Sequence, residues 1–153
     1  MKQEEILQQV KDGRLSIEEA STLLKGIEDI GYAAIDLSRQ KRNGFPEIIY
    51  GEGKNIEQLI GIITAMNEHK TAILATRVNA EKGEALKKAF PEGVYEPLGR
   101  TFVLNPIAPK HEHYIAVVTA GTSDIPVAEE AAVTAETFGN HVKRIYDVGV
   151  AGI

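Results

Sequence analysis

The stretch YIAVVTAGTSDIPVAEEAAVTAETFGNHVKRIYDV, Tyr114 to Val148, decides the fold. Tyr114–Thr119 is a continuous apolar run, the pattern of a strand buried on both faces. AGTSD then makes a tight turn. Ile125–Phe138 has the length of a helix, and Gly139 stops it. His141–Val148 is a second strand. Strand, helix and strand in this order call for two parallel strands joined by a right-handed crossover.

Working back toward the N-terminus, Asn105–His113 (NPIAPKHEH) has two prolines and no hydrophobic period, and reads as a linker. Before it, Val94–Tyr95 and Thr101–Leu104 are short strands of a hairpin around Pro97 and Gly99. Asn79 opens a helix over Ala80–Phe90, and Thr71–Thr76 (TAILAT) is another buried strand. Asn55 with Gln58 caps a helix whose apolar positions are Ile56, Leu59, Ile60, Ile63 and Met66. Glu47–Tyr50 and Tyr32–Leu37 are strand-like, separated by the polar loop Ser38–Pro46. At the start, Ile6, Leu7 and Val10 mark one short helix that ends at Gly13. Ser16 and Glu19 form a capping box for a second, with Ile17, Ala20, Leu23 and Leu24 as its apolar stripe. The fold class is therefore α/β. The expected organisation is a helical hairpin at 1–30, a small α/β domain at 31–105, a linker at 106–113 and a further α/β unit from 114 to 153.

Composition narrows the function. The 153 residues carry 17 Lys+Arg and 22 Asp+Glu, a formal net charge of -5. Mild acidity argues against nucleic-acid binding, which requires neutralising a phosphate backbone. No apolar run approaches the ~18 residues of a membrane span. The first residues, MKQEEILQQVKDG, carry no apolar signal-peptide core. A cytoplasmic location and no membrane partner are the expectations. Cysteine is absent, so the chain holds no thiolate nucleophile, thiolate metal site or disulfide of its own.

Chemistry is expected first at Gly121-Thr122-Ser123-Asp124. The turn leaves the carboxyl end of a strand and feeds a helix N-terminus, where free N–H groups and the helix dipole favour a phosphate. Thr122 and Ser123 add hydroxyl donors. Asp124 could hold a ribose hydroxyl, accept a proton, or cap the helix. Asp147 ends the neighbouring strand and could serve as a general base at the same edge, or be a turn aspartate. Arg39 and Arg42 lie in a glycine-containing loop suited to forked recognition of phosphate or carboxylate, or simply to solvent. Gly51-Glu52-Gly53-Lys54 resembles a phosphate nest with Lys54 as cation, but lacks the Lys-Ser/Thr pair of a P-loop. His111 and His113 could share one face of a strand, yet no third ligand is evident, so no metal site is expected.

Two blocks carry a family resemblance. VVTAGTSDIPVAEEAAVTAETFGNHVKRIYDVGVAGI, Val117 to Ile153, and DLSRQKRNGFPEIIYGEGKN, Asp36 to Asn55, resemble the LarB family. Its members are pyridinium-3,5-biscarboxylic acid mononucleotide synthases of nickel-pincer cofactor biosynthesis. The resemblance implies that residues 114–153 begin a PurE-like, flavodoxin-style parallel-sheet domain. It implies carboxylation of the pyridinium ring of nicotinic acid adenine dinucleotide, cleavage of its phosphoanhydride and release of AMP. Carbon dioxide or bicarbonate is then the co-substrate, Mg2+ is expected, and no cofactor is tightly bound. Asp147 and Asp124 become candidate catalytic residues. Gly121, Thr122, Ser123, Arg39, Arg42 and Lys54 become candidate substrate-binding residues.

Family members continue past Ile153 and carry a cysteine nucleophile there. The expectation is an N-terminal portion, inactive alone, of a protein that is a homo-oligomer at full length. The Ser-Asp-x-Pro at Ser123–Pro126 is also similar to the loop of PurE, the carboxyaminoimidazole ribonucleotide mutase. An aminoimidazole ribonucleotide carboxylase is therefore an alternative, though the Asp36–Asn55 block has no counterpart there. A non-catalytic nucleotide-binding or oligomerisation module is the other.

Overall fold

The structure, a computed structural model, describes residues 3–37, 39 and 44–151. The chain divides into two compact units, Met1–Glu47 and Ile48–Ile153. Residues 31–47, expected with the small α/β domain, thus group with the helical hairpin.

In the first unit, α1 (Gln3–Lys11) and α2 (Ile17–Lys25) are followed by β1 (Ile27–Asp29) and β2 (Ala34–Asp36). The capping box at α2 is present in both directions. The Ser16 N–H donates to Glu19 Oε2 at 2.8 Å, and the Glu19 N–H donates to Ser16 Oγ at 3.1 Å. Gly26, at φ 68°, ends the helix in the left-handed region. The chain then turns straight into β1, which pairs antiparallel with β2. Three residues are too few to show a period of two, so β1 was not expected. Ile6, Ala20 and Ile35 are buried, whereas Leu7, Ile17, Leu23 and Leu24 are exposed. Helices of only two or three turns bury just the positions that meet, and the rest of the expected stripe faces out.

The second unit contains β3 (Ile48–Tyr50), α3 (Ile56–Glu68), β4 (Ile73–Thr76), α4 (Ala80–Ala89), β5 (Val94–Glu96) and β6 (Thr101–Leu104). These build a four-stranded sheet in the order β3-β4-β6-β5. β3 and β4 are parallel across α3, and β5–β6 is an antiparallel hairpin whose β6 also pairs with β4. This is the expected βαβ unit with an added hairpin. Asn55 and Gln58 close a reciprocal capping box, and Asn79 caps α4 by accepting from the Lys82 N–H at 2.9 Å. The core runs along β4, where Ile73, Leu74 and Ala75 are fully buried, together with Leu59, Ile63, Leu86 and Phe102. Burying these side chains supplies the main stabilisation of the unit.

The same unit ends with β7 (Tyr114–Val118), a 3-10 turn over Thr122–Asp124, α5 (Ile125–Thr137) and β8 (His141–Ile145). β7 and β8 pair in parallel, Tyr114 beside His141 through Val118 beside Ile145. Helix α5 packs on both strands and also reaches β4 and β6. At that contact Gly99 is indispensable, because a Cβ there would lie 2.9 Å from the Glu130 nitrogen. The 105–113 linker is tied down where the Ile107 N–H donates to the Thr137 carbonyl at 2.9 Å.

One expectation is corrected. Tyr114–Thr119 is not a strand buried on both faces. Tyr114, Ile115 and Val118 are 61%, 44% and 55% exposed. Helix α5 packs on this pair of strands, and among the described residues no third strand borders it. No described helix is long and apolar enough to cross a membrane.

Candidate functional site

The carboxyl end of the β7–β8 pair is tied together by backbone. Beyond the strands, the Thr119 N–H donates to the Ile145 carbonyl, the Val148 N–H to the Thr119 carbonyl, and the Gly149 N–H to the Ala120 carbonyl, the last at 2.8 Å. The Asp147 N–H donates to Thr119 Oγ1 at 3.3 Å. Thr119 is buried, and its side chain bonds the chain just after β8. Asp147 itself takes φ 58°, a left-handed conformation that aspartate tolerates better than most residues. Asp147 and the Gly121–Asp124 turn therefore leave adjacent strands at the same edge, as the parallel pairing requires.

Within the turn, Gly121 is extended at φ -123°, and the Asp124 N–H reaches back to the Gly121 carbonyl at 3.3 Å. The space that a Cβ on Gly121 would take lies 3.9 Å from both Ser123 Oγ and Asp124 Oδ2. Hydroxyl and carboxylate thus converge beside the glycine, all of them open to solvent. Asp124 makes no side-chain capping bond. Of its three expected roles, capping is not the one it takes, because its helical backbone aims the side chain away from the free N–H groups of α5. Pro126 occupies the first turn of α5.

The remaining sequence candidates lie elsewhere. Lys54 sits after β3, and its Nζ donates to the Tyr50 carbonyl at 3.1 Å. Two of the N–H groups in the expected nest are engaged within the fold. The Gly51 N–H is taken by the Thr76 carbonyl and the Lys54 N–H by the Gly51 carbonyl. The carbonyls of Gly51 and Glu52 accept from Lys82 Nζ at 2.8 and 3.1 Å. Arg39 belongs to the first unit and is exposed, and Arg42 lies outside the described residues. His111 and His113 stack with ring centroids 6.3 Å apart, both exposed. Among the described residues no three His, Asp or Glu side chains gather to hold a metal ion.

Sequence reading missed the group that holds α5 to β8. Arg144 forks onto Glu129 through Nε and Nη2, and onto Glu136 through both terminal nitrogens, at 2.6–3.0 Å. The Tyr146 hydroxyl donates to the same Glu129 at 2.9 Å. Donation from Arg144 holds the Glu129 carboxyl below the usual carboxylate range, against the opposing effect of burial. Burial, together with that bond to Glu129, pushes the Tyr146 hydroxyl up to about 12. Alternation along β8 put Arg144 and Tyr146 on one face, and only the packed helix shows what they grip.

The structure defines an α/β protein with a glycine turn, hydroxyls and a carboxylate at the carboxyl edge of a parallel strand pair. Residues 27–106 match the family model described as the LarB/PurE-like N-terminal domain. An uncharacterized protein of Methanocaldococcus jannaschii is 33% identical over an alignment of 164 positions that covers 97% of this chain. The chain belongs to the LarB family. It spans 62% of the length of that archaeal relative.

Proposed function

We propose that this chain holds substrate in an enzyme that carboxylates the pyridinium ring of nicotinic acid adenine dinucleotide and cleaves its phosphoanhydride. The observation that carries the reading is the tie between Asp147 and Thr119, which sets one carboxylate at the edge where Gly121–Asp124 turns. The family match supports the same reading, since it rests on residues 27–106 and not on the Ser-Asp-x-Pro loop shared with PurE.

The chemistry asks for particular groups. An electron-poor pyridinium accepts carbon dioxide only after a nucleophile has added to the ring and supplied an electron pair. A base then removes the ring proton, the nucleophile departs, and aromaticity returns. Water cleaves the phosphoanhydride and AMP leaves. In this chain Asp147 and Asp124 are the bases, and Gly121, Thr122 and Ser123 hold phosphate or ribose. Arg39 and Arg42, with Lys54, contact the dinucleotide or a neighbouring subunit. The chain has no cysteine, so the 153 residues are expected to bind without turnover. Carbon dioxide or bicarbonate as co-substrate, homo-oligomerisation of the full-length protein and a cytoplasmic location belong to the same proposal.

The test has two arms. Incubation with the dinucleotide, bicarbonate and Mg2+ is expected to yield no dicarboxylated mononucleotide, and its formation by this chain would overturn the claim of inactivity. Calorimetry is expected to show dinucleotide binding that Asp147→Asn weakens. No binding, or preference for aminoimidazole ribonucleotide, would overturn the substrate assignment.

A further inference from the structure

The antiparallel register of β4 and β6 pairs Ile73 with Leu104, Leu74 with Val103 and Ala75 with Phe102. Just beyond these pairs, Arg77 follows the last residue of β4 and Arg100 precedes the first residue of β6. The Val78 N–H donates to the Arg100 carbonyl at 2.7 Å, so the two segments stay bonded there. Both arginines are left-handed, at φ 56° and φ 52°. Each such residue carries a local conformational cost. Two strained arginines beside the carboxyl ends of the parallel strands β3 and β4 are the kind of feature that accompanies a ligand site.

The local charge is in excess on the positive side. Arg77 Nε pairs with Glu130 Oε2 at 3.3 Å, while the Arg100 side chain has no hydrogen bond or ion pair among the described residues. Lys82 is anchored on the Gly51 and Glu52 carbonyls and fixes the loop that follows β3. Glu52 is held by the Tyr50 hydroxyl. That bond, with Arg100, Arg77 and Lys82 nearby, keeps its carboxyl below the usual range. The cluster thus already stabilises one anion, that of Glu52, in the space that an incoming anion would share. Guanidinium forks match phosphate oxygens geometrically, which ammonium groups do not.

We propose that Arg77 and Arg100 form a phosphate-binding site at the carboxyl end of β4, distinct from the Gly121–Asp124 turn. The site reads a phosphate group, whether free or carried by a nucleotide. It does not depend on the carboxylase reading, because phosphate affinity is measured without turnover.

Calorimetric titration of the whole chain with inorganic pyrophosphate, inorganic phosphate and AMP tests this. Saturable binding is expected, weakened at least ~10-fold by Arg77→Ala and by Arg100→Ala. Arg77→Lys and Arg100→Lys keep the charge and should fold like the parent, yet lose most of the affinity because the fork is gone. Ser123→Ala reports separately on the Gly121–Asp124 turn, and Lys110→Ala should bind as the parent does. AMP binding much more tightly than inorganic phosphate identifies a nucleotide as the source, and equal affinities identify free phosphate. Parental affinity in all four arginine variants, loss only in Ser123→Ala, or no binding of any of the three compounds would overturn the proposal.

Discussion

Asp147 is fastened to Thr119: its N–H donates to the threonine hydroxyl at 3.3 Å, and the next residue's N–H donates to the Thr119 carbonyl at 3.1 Å. One buried residue at the end of β7 thereby sets the path of the chain leaving β8. The carboxyl edge of this parallel pair is organised by that threonine more than by the turn itself.

Replacing Thr119 with valine keeps the shape and removes the acceptor. The Asp147 N–H is then left without its side-chain partner, which costs about 1 kcal/mol. Urea unfolding should show a lower midpoint with an unchanged slope. Dinucleotide binding should weaken as the Asp147 segment loosens, while Thr119→Ser should retain both properties.

Asp147 separates backbone from carboxylate. At φ 58° a glycine is relaxed and an alanine is strained. Asp147→Gly should be at least as stable as the parent, and Asp147→Ala less stable by about 1 kcal/mol. If the carboxylate is a base, both should lose carboxylation in a complete family enzyme. A stable Asp147→Gly protein with parental activity would remove Asp147 from the chemistry.

The Arg144 fork makes stability depend on pH at both ends. Glu129 is depressed in the folded state, so its contribution is complete above the unfolded carboxylate value and is lost as pH falls through the lower folded value. Tyr146 is raised from 10.0 to about 12, so its contribution is complete below pH 10.0 and is lost as pH rises toward 12. Tyr146→Phe should flatten the alkaline limb in pH-dependent unfolding. Arg144→Met should diminish the acid limb and cost about 2 kcal/mol near neutrality, because Glu129 is left buried without its partner.

Gly99→Ala should destabilise the second unit by about 2 kcal/mol, through forced movement of α5. The new Cβ would meet backbone, 2.9 Å from the Glu130 nitrogen and 3.1 Å from the Glu129 carbonyl carbon, and backbone cannot rotate aside. Gly53→Ala meets nothing within 4 Å and serves as the control in the same thermal melt.

Much of the fold was legible because its signals are local. Ser16 with Glu19 and Asn55 with Gln58 satisfy N–H groups within one turn, so the residue types alone mark the helix starts. The apolar run at Ile73–Ala75 is central and buried as its composition requires. The similar run at Tyr114–Val118 is not, because burial depends on what packs against a strand, and composition does not carry that. The turn Gly121–Asp124 and its neighbour Asp147 were readable as candidates from strand ends and chain order.

Length, charge, helix caps, strand order in the two βαβ units and the family resemblance follow from the sequence by itself. Tertiary structure alone decided that Thr119 anchors Asp147, that Arg144 bridges α5 and β8, and that Val78 bonds to the Arg100 carbonyl between two left-handed arginines. Each of these joins residues distant in sequence or depends on a left-handed backbone. Neither register nor positive φ at a non-glycine residue is encoded in the spacing of apolar side chains.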